Sequence, residues 1–188
     1  IVFFLDSDDV LKPNAVEECI KLYELDDYIN VYYLMEKVDK DLNPKGGVTP
    51  DQGYTTTPPL EDMKKWGYYA APPTSAHSFR KSFLDQVMPV SLRAEGLKDD
   101  AIPADAYLST YSPFMGKTYF IPEVLASYRL HGNNKGSLRN KFSVEKLRRM
   151  WSRSYLREKI QMECARKYNI PLKEDQVSFN PIIVKYRF

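Results

Sequence analysis

Ile1-Val2-Phe3-Phe4-Leu5-Asp6-Ser7-Asp8-Asp9-Val10-Leu11 opens the chain, and the rest is read outward from it. Five consecutive apolar residues, rich in β-branched and aromatic types and without alternation, predict a strand buried on both faces. Acid begins where that strand ends. In open α/β sheets ligands sit beyond the carboxyl ends of the strands, so Asp6, Asp8 and Asp9 form an anionic cup at the expected binding crevice. Such a cup repels itself until a cation fills it. A hard ion, Mg2+ or Mn2+, takes one or two protein carboxylates and completes its shell with substrate phosphates. The same residues equally suit a turn and a helix cap, since Asp and Ser do both.

Downstream, Pro13 stands at a tolerated first-turn position, and Val16, Cys19, Ile20 and Tyr23 recur at helical spacing, predicting a helix to about Leu25. Asp26-Asp27 ends it. Tyr28 to Met35 then reads as a second strand, which makes a β-α-β unit with a parallel sheet and a right-handed crossover. Residues 39–59, rich in Gly, Pro, Asp and Thr, read as a long surface loop. Leu60 to Trp66 reads as a short helix.

Thr74-Ser75-Ala76-His77-Ser78-Phe79-Arg80 alternates small polar groups with an imidazole and a guanidinium, which suits either a ligand-facing loop or a surface turn with a salt bridge. Ala101 to Met115 predicts a helix with Asp105 near its start, where a carboxylate also complements the helix dipole. Lys117–Ile121 and Val124–Tyr128 are short apolar runs on either side of Pro122-Glu123. Arg129-Leu130-His131-Gly132-Asn133-Asn134 follows, and a cation, an imidazole, a glycine and two amides at a strand end can hold an anion or a metal.

Composition sets the bounds. With 188 residues and 43% hydrophobic content the chain can bury a core, which excludes a disordered segment. Cys19 and Cys164 lack the paired spacing of a zinc site or a disulfide framework and suit a reducing compartment, so a cytoplasmic location is expected. The opening apolar run is too short to span a bilayer. A net charge of +2 conceals an asymmetry, because residues 139–167 carry ten Lys or Arg against three Glu. That segment predicts a basic helix over about 143–168, with Val144, Leu147, Trp151 and Tyr155 on one side. It would either pack on its own domain or rest peripherally on the inner face of a membrane. Nucleic acid is not an expected partner, because the cup is acidic and no base-stacking motif is present.

Taken in order, these segments resemble the catalytic domain of family 2 inverting glycosyltransferases, of the GT-A fold. The matching stretches are Phe4 to Val10 with Pro13, Pro73 to Arg80, Ala104 to Leu108, and Gly116 through Tyr128-Arg129-Leu130-His131-Gly132-Asn133-Asn134. The resemblance implies an α/β, Rossmann-like mixed sheet flanked by helices. It also implies metal-dependent transfer of a sugar from a nucleotide diphosphate to a saccharide or lipid-linked acceptor hydroxyl, with inversion, in cell-surface polysaccharide or glycan synthesis. On the matched positions, Asp6 would contact the nucleotide ribose, Asp8 would hold Mg2+ or Mn2+, Asp105 would be the general base, and Arg129 and His131 would meet the diphosphate or the metal. Thr74, Ser75, His77 and Arg80 would face the acceptor. Ala76 departs from the family, where a glycine is common.

The family's first β-α-β-α half, which reads the nucleotide base, has no counterpart in this sequence. Residues 1–138 are therefore expected to be the metal- and acceptor-binding part of a larger domain, with Ile1 to Leu5 inside the intact sheet, and 139–188 a basic helical extension. Two other readings stand beside this one. Phosphatases of the haloacid dehalogenase superfamily also open on an apolar run and Asp-any-Asp, with Asp99-Asp100 as a later acidic pair; a fragment that binds without catalysing is the second.

Overall fold

The computed structural model describes residues 1–50, 58–66, 71–89, 104–131 and 144–172. These form strands β1 (Val2–Phe3), β2 (Val10–Leu11), β3 (Tyr28–Val38), β4 (Pro44–Thr49), β5 (His77–Phe79) and β6 (Lys117–Arg129). The helices are α1 (Ala15–Leu25), α2 (Pro59–Trp66), α3 (Lys81–Val87), α4 (Ala104–Met115) and α5 (Val144–Lys167). The chain divides into two units that interleave along the sequence. One, built on the sheet, comprises Ile1–Thr56, Ala70–Asp85 and Gly116–Lys141; the other, helical, comprises Thr57–Tyr69, Gln86–Met115 and Phe142–Phe188.

In the sheet unit the strand order is β1-β5-β3-β6-β2, with β4 pairing β3. β3 and β6 are parallel and the other pairings antiparallel, so the α/β class with a mixed sheet is as expected. The simple β-α-β reading needs correction. β5 runs between β1 and β3, with Ser78 opposite Phe3 on one side and Val31 on the other. A three-residue strand containing a histidine and a serine carries no apolar run, yet all three of its side chains are buried.

The opening strand is also shorter and less enclosed than expected. It is regular only over Val2–Phe3, both half-buried, while Ile1 and Leu5 are 45% and 49% exposed. β1 stands at the end of the strand order among the described residues, and an outer strand is not covered as a central one is.

β3 is the strand with two covered faces. Val31, Tyr33 and Met35 pack with Ala15, Cys19 and Tyr23 of α1 and with Ala76, Ile121, Leu125 and Ala126. The alternate residues Tyr32 and Leu34 pack with Phe120. Strand periodicity puts successive side chains on opposite faces, so a continuous apolar run is what such a strand requires. α1 meets the sheet along Ala15, Cys19 and Tyr23, and the expected Val16 and Ile20 are exposed. Small residues at two of those contacts let the helix approach closely. The Tyr23 hydroxyl then donates to the Ser78 carbonyl at 2.7 Å and accepts the Val31 N–H at 3.1 Å.

β6 joins the two short runs expected on either side of Pro122-Glu123 into one strand. Tyr33 pairs with Ile121 and Leu34 with Val124, so Pro122 and Glu123 are accommodated in a bulge, where a residue with no N–H interrupts the ladder at least cost. The expected loop over 39–59 instead contains β4, reached by a turn in which the Asp39 carboxylate accepts the Asp41 and Asn43 amides. Residues 51–57 lie outside the described residues.

In the helical unit, α4 and α5 keep their expected bounds within three residues. The packed face of α5 differs. Leu156, Ile160, Cys164 and Ala165 are buried, whereas Val144 and Tyr155 are 66% and 46% exposed. The row 156, 160, 164 is an unbroken i, i+4 series, while Lys159 interrupts the line that continues from Tyr155. The side chains of Leu147 and Trp151 lie outside the described residues. Burial beside Tyr111 lifts the Cys164 thiol to about 12, so it stays protonated as a packing residue.

Tyr23→Phe tests the seam between helix and sheet. Removing the hydroxyl leaves the buried Val31 N–H without its acceptor, and the expected loss is about 1–3 kcal/mol, read from urea denaturation. An unchanged midpoint would show that water replaces the hydroxyl there.

Candidate functional site

The loop between β1 and β2 folds back on itself, with the Asp9 N–H bonded to the Asp6 carbonyl at 3.1 Å. This turns Asp9 inward, where it is 7% exposed, while Asp6 stays exposed and Asp8 half-buried. Each oxygen of the buried carboxylate finds a donor. The Ser75 hydroxyl donates to Asp9 Oδ2 at 2.7 Å, and the Arg129 backbone N–H donates to Asp9 Oδ1 at 3.0 Å. Ser75 Oγ in turn accepts the Asp6 N–H at 3.0 Å, and its carbonyl accepts the Tyr33 hydroxyl at 2.9 Å.

Three segments far apart in sequence therefore meet at one carboxylate: the acidic loop, the 3₁₀ turn Thr74–Ala76, and the end of β6. Two residues beyond Arg129, His131 Nε2 lies 2.7 Å from Asp8 Oδ2. Both side chains are about one-third exposed, 33% and 36%, so the pair faces solvent on a buried base. Of the expected site residues, Asp6, Asp8, Ser75, Arg129 and His131 converge here. Gly132-Asn133-Asn134 lies outside the described residues.

Thr74 is half-buried at the start of the 3₁₀ turn. Its neighbours have internal partners. His77 is 1% exposed, with Nδ1 3.2 Å from Asn30 Oδ1, Nε2 3.3 Å from the Pro72 carbonyl, and its ring stacked on Phe79 at 5.4 Å. Arg80 donates from Nε to the Tyr28 carbonyl at 2.9 Å and from Nη2 to the carbonyls of Tyr23 and Asp26, closing the C-terminal end of α1. These contacts hold the fold together, those of Arg80 at the end of α1 away from the cup.

Asp105 belongs to the helical unit, at the second position of α4, where its carboxylate accepts the Ala106 N–H at 2.7 Å. Asp99-Asp100 lies outside the described residues.

Sequence reasoning counted Asp9 only as one of the three carboxylates of the cup, and it overlooked a polar group nearby. Glu36 of β3 pairs with Lys12 and accepts the Ser127 hydroxyl at 2.9 Å, contacts that hold its carboxyl below the usual range, the lysine contributing most. Ser127 lies two residues before Arg129 on β6 and opposite Val10 of β2. The available signal was a charged residue, Glu36, directly after the apolar run Val31–Met35.

Burial pushes the Asp9 carboxyl up, assisted by the neighbouring Asp8 and opposed by the bonds from Ser75 and the Arg129 amide. Among the described residues no group of three or more His, Cys, Asp or Glu is placed to hold a metal. Asp8 and His131 form the solvent-facing contact of the cup.

No protein-family profile matches the chain. It is similar to an uncharacterised glycosyltransferase of Nostoc sp. (strain PCC 7120), with 31% identity over 140 residues, covering 71% of this chain and 40% of that protein. The chain thus spans about two fifths of the length of that curated relative.

Asp9 generates two expectations. Asp9→Ala strands the Arg129 amide and the Ser75 hydroxyl and is expected to cost about 2–4 kcal/mol in chemical denaturation. The pH dependence has a definite sign. The folded state holds the Asp9 proton more tightly than the unfolded chain, so its contribution is full below the ordinary value of 3.8 and is lost as pH rises through the raised value. Wild type should therefore lose stability relative to Asp9→Asn as pH rises through that window, and a constant difference would contradict it.

Proposed function

We propose that this chain carries the metal- and acceptor-handling part of an inverting glycosyltransferase that uses a nucleotide-diphosphate sugar. The observation that carries the reading is the convergence at Asp9, which gathers Asp6, Asp8, Arg129 and His131 at the end of an apolar strand. Similarity to a named glycosyltransferase over 71% of the chain supports it. The phosphatase reading has no such support, because β3, the second apolar strand, ends at Val38 followed by Asp39 rather than by Ser or Thr.

Asp8 and His131 are the residues that would hold a dication. Such an ion usually keeps only one or two protein ligands and takes the rest from phosphates, and Asp8 with His131 offers one carboxylate and one imidazole already in contact. When bound, Mg2+ or Mn2+ would neutralise the leaving diphosphate. Arg129 adds positive charge beside that position, and exposed Asp6 can accept from ribose hydroxyls. The segment Thr74–Arg80 borders the acceptor side through Thr74, while Ser75, His77 and Arg80 hold it in place. Asp105 is assigned the role of general base from the family resemblance alone. It takes the proton of the acceptor hydroxyl as that oxygen bonds to the anomeric carbon, and the bond from carbon to diphosphate oxygen breaks with its electron pair leaving on the nucleoside diphosphate.

Asp8→Asn and His131→Ala in the intact protein should each abolish Mn2+-dependent nucleotide-sugar binding, measured by calorimetry. Undiminished metal-dependent binding in both would overturn the ligand assignment. Asp105→Asn should bind donor normally and lose transfer by about 10²–10⁴-fold, the range for a positioned base. Full turnover in that variant would remove Asp105 from the reaction.

A further inference from the structure

The outward side of α5 has a character that the transfer chemistry does not use. Within its described half, the buried row runs Leu156, Ile160, Cys164, while Tyr155, Lys159 and Arg166 are exposed and Met162 is half-buried. Positions 155, 159, 162 and 166 follow i, i+4, i+7, i+11 and share one line along the helix. Val144 is three turns before Tyr155 on that line and is 66% exposed. Valine, tyrosine and methionine thus alternate with lysine and arginine on the side turned to solvent.

Lys159 Nζ lies 4.9 Å over the Tyr155 ring. That contact joins an amphipathic ring to a cation whose stem can lie along apolar surface while its head stays wet. In sequence the segment 139–167 carries ten basic residues against three acidic, and in the described half Arg153, Arg157, Lys159, Arg166 and Lys167 stand against half-buried Glu158 and exposed Glu163. Among the described residues no helix is long and apolar enough to cross a membrane, so contact through α5 would lie in the plane of the surface.

We propose that the outward face of α5 docks on an anionic lipid surface, with Tyr155 and Met162 at the boundary between headgroups and acyl chains and Lys159 and Arg166 on the lipid phosphates. Interleaved apolar and basic residues favour lipid over nucleic acid, since a phosphodiester backbone gives Val144 and Met162 nothing to enter. The inference is independent of the transfer reaction. It would bring the protein to the surface where lipid-linked saccharides reside.

The test is co-sedimentation of the intact protein with vesicles of phosphatidylcholine alone or mixed with phosphatidylglycerol, at low and high salt. Binding is expected to rise with phosphatidylglycerol and fall with salt. Lys159→Gln and Arg166→Gln should each lower the partition coefficient about fivefold, and the pair about 25-fold. Tyr155→Ser should lower it further with helix content by circular dichroism unchanged. Metal-dependent nucleotide-sugar binding should persist in all of them, which separates this inference from the one above. Equal binding to neutral and anionic vesicles, wild-type partitioning of the double variant, or displacement from vesicles by a DNA duplex at matched phosphate would overturn it.

Discussion

A carboxylate buried between three segments is the constraint on which the cup depends. Removing Asp9 from water carries a cost that two donors offset, and those donors come from a turn and a strand end remote in sequence. The arrangement leaves little freedom. Ser75 must present its hydroxyl to Asp9 while accepting the Asp6 amide, which fixes the acidic loop against the 3₁₀ turn. Asp8 and His131 then face outward from a rigid base, the condition for a site whose exposed groups must keep their geometry.

The same logic holds one layer down. β3 can be apolar on both faces only because α1 covers one of them, and α1 can come close only because Ala15 and Cys19 are small. Tyr23 completes the contact by giving a buried backbone amide its acceptor. Arg80 closes the far end of α1 by taking up its last carbonyls, so a residue that reads as ligand-facing from its polar surroundings serves the scaffold. Polar side chains in this molecule are spent first on backbone groups that water cannot reach.

What was legible from the residues follows from how local each feature is. The acidic loop, the helices starting near Pro59, Ala104 and Val144, and the Arg129–His131 strand end all carry signals within a few neighbours, and they are where they were expected. β5 was not legible, because three residues between an 3₁₀ turn and a helix give no periodicity, and only pairing with two remote strands makes them a strand. On α1 Cys19 and Tyr23 pack as expected while Ala15 replaces Val16 and Ile20, and on α5 the packed row is rotated away from Val144 and Tyr155. The role of Asp9 needed the tertiary structure, since its partners are a hydroxyl and a backbone amide that no motif encodes.

The polar contacts of the cup also bear on how the molecule reaches its native state. Asp9 joins Ser75 across 66 residues and Arg129 across 120, and Asp8 meets His131 across 123. Closing such loops costs chain entropy that is regained only when strands as remote as β3 and β6 have paired, so the contacts of the cup have a high sequence separation. A ligand held by Asp8 and His131 together would bridge the first strand loop and the end of that last strand. By linkage, its binding free energy would then reinforce the whole sheet rather than the loop alone.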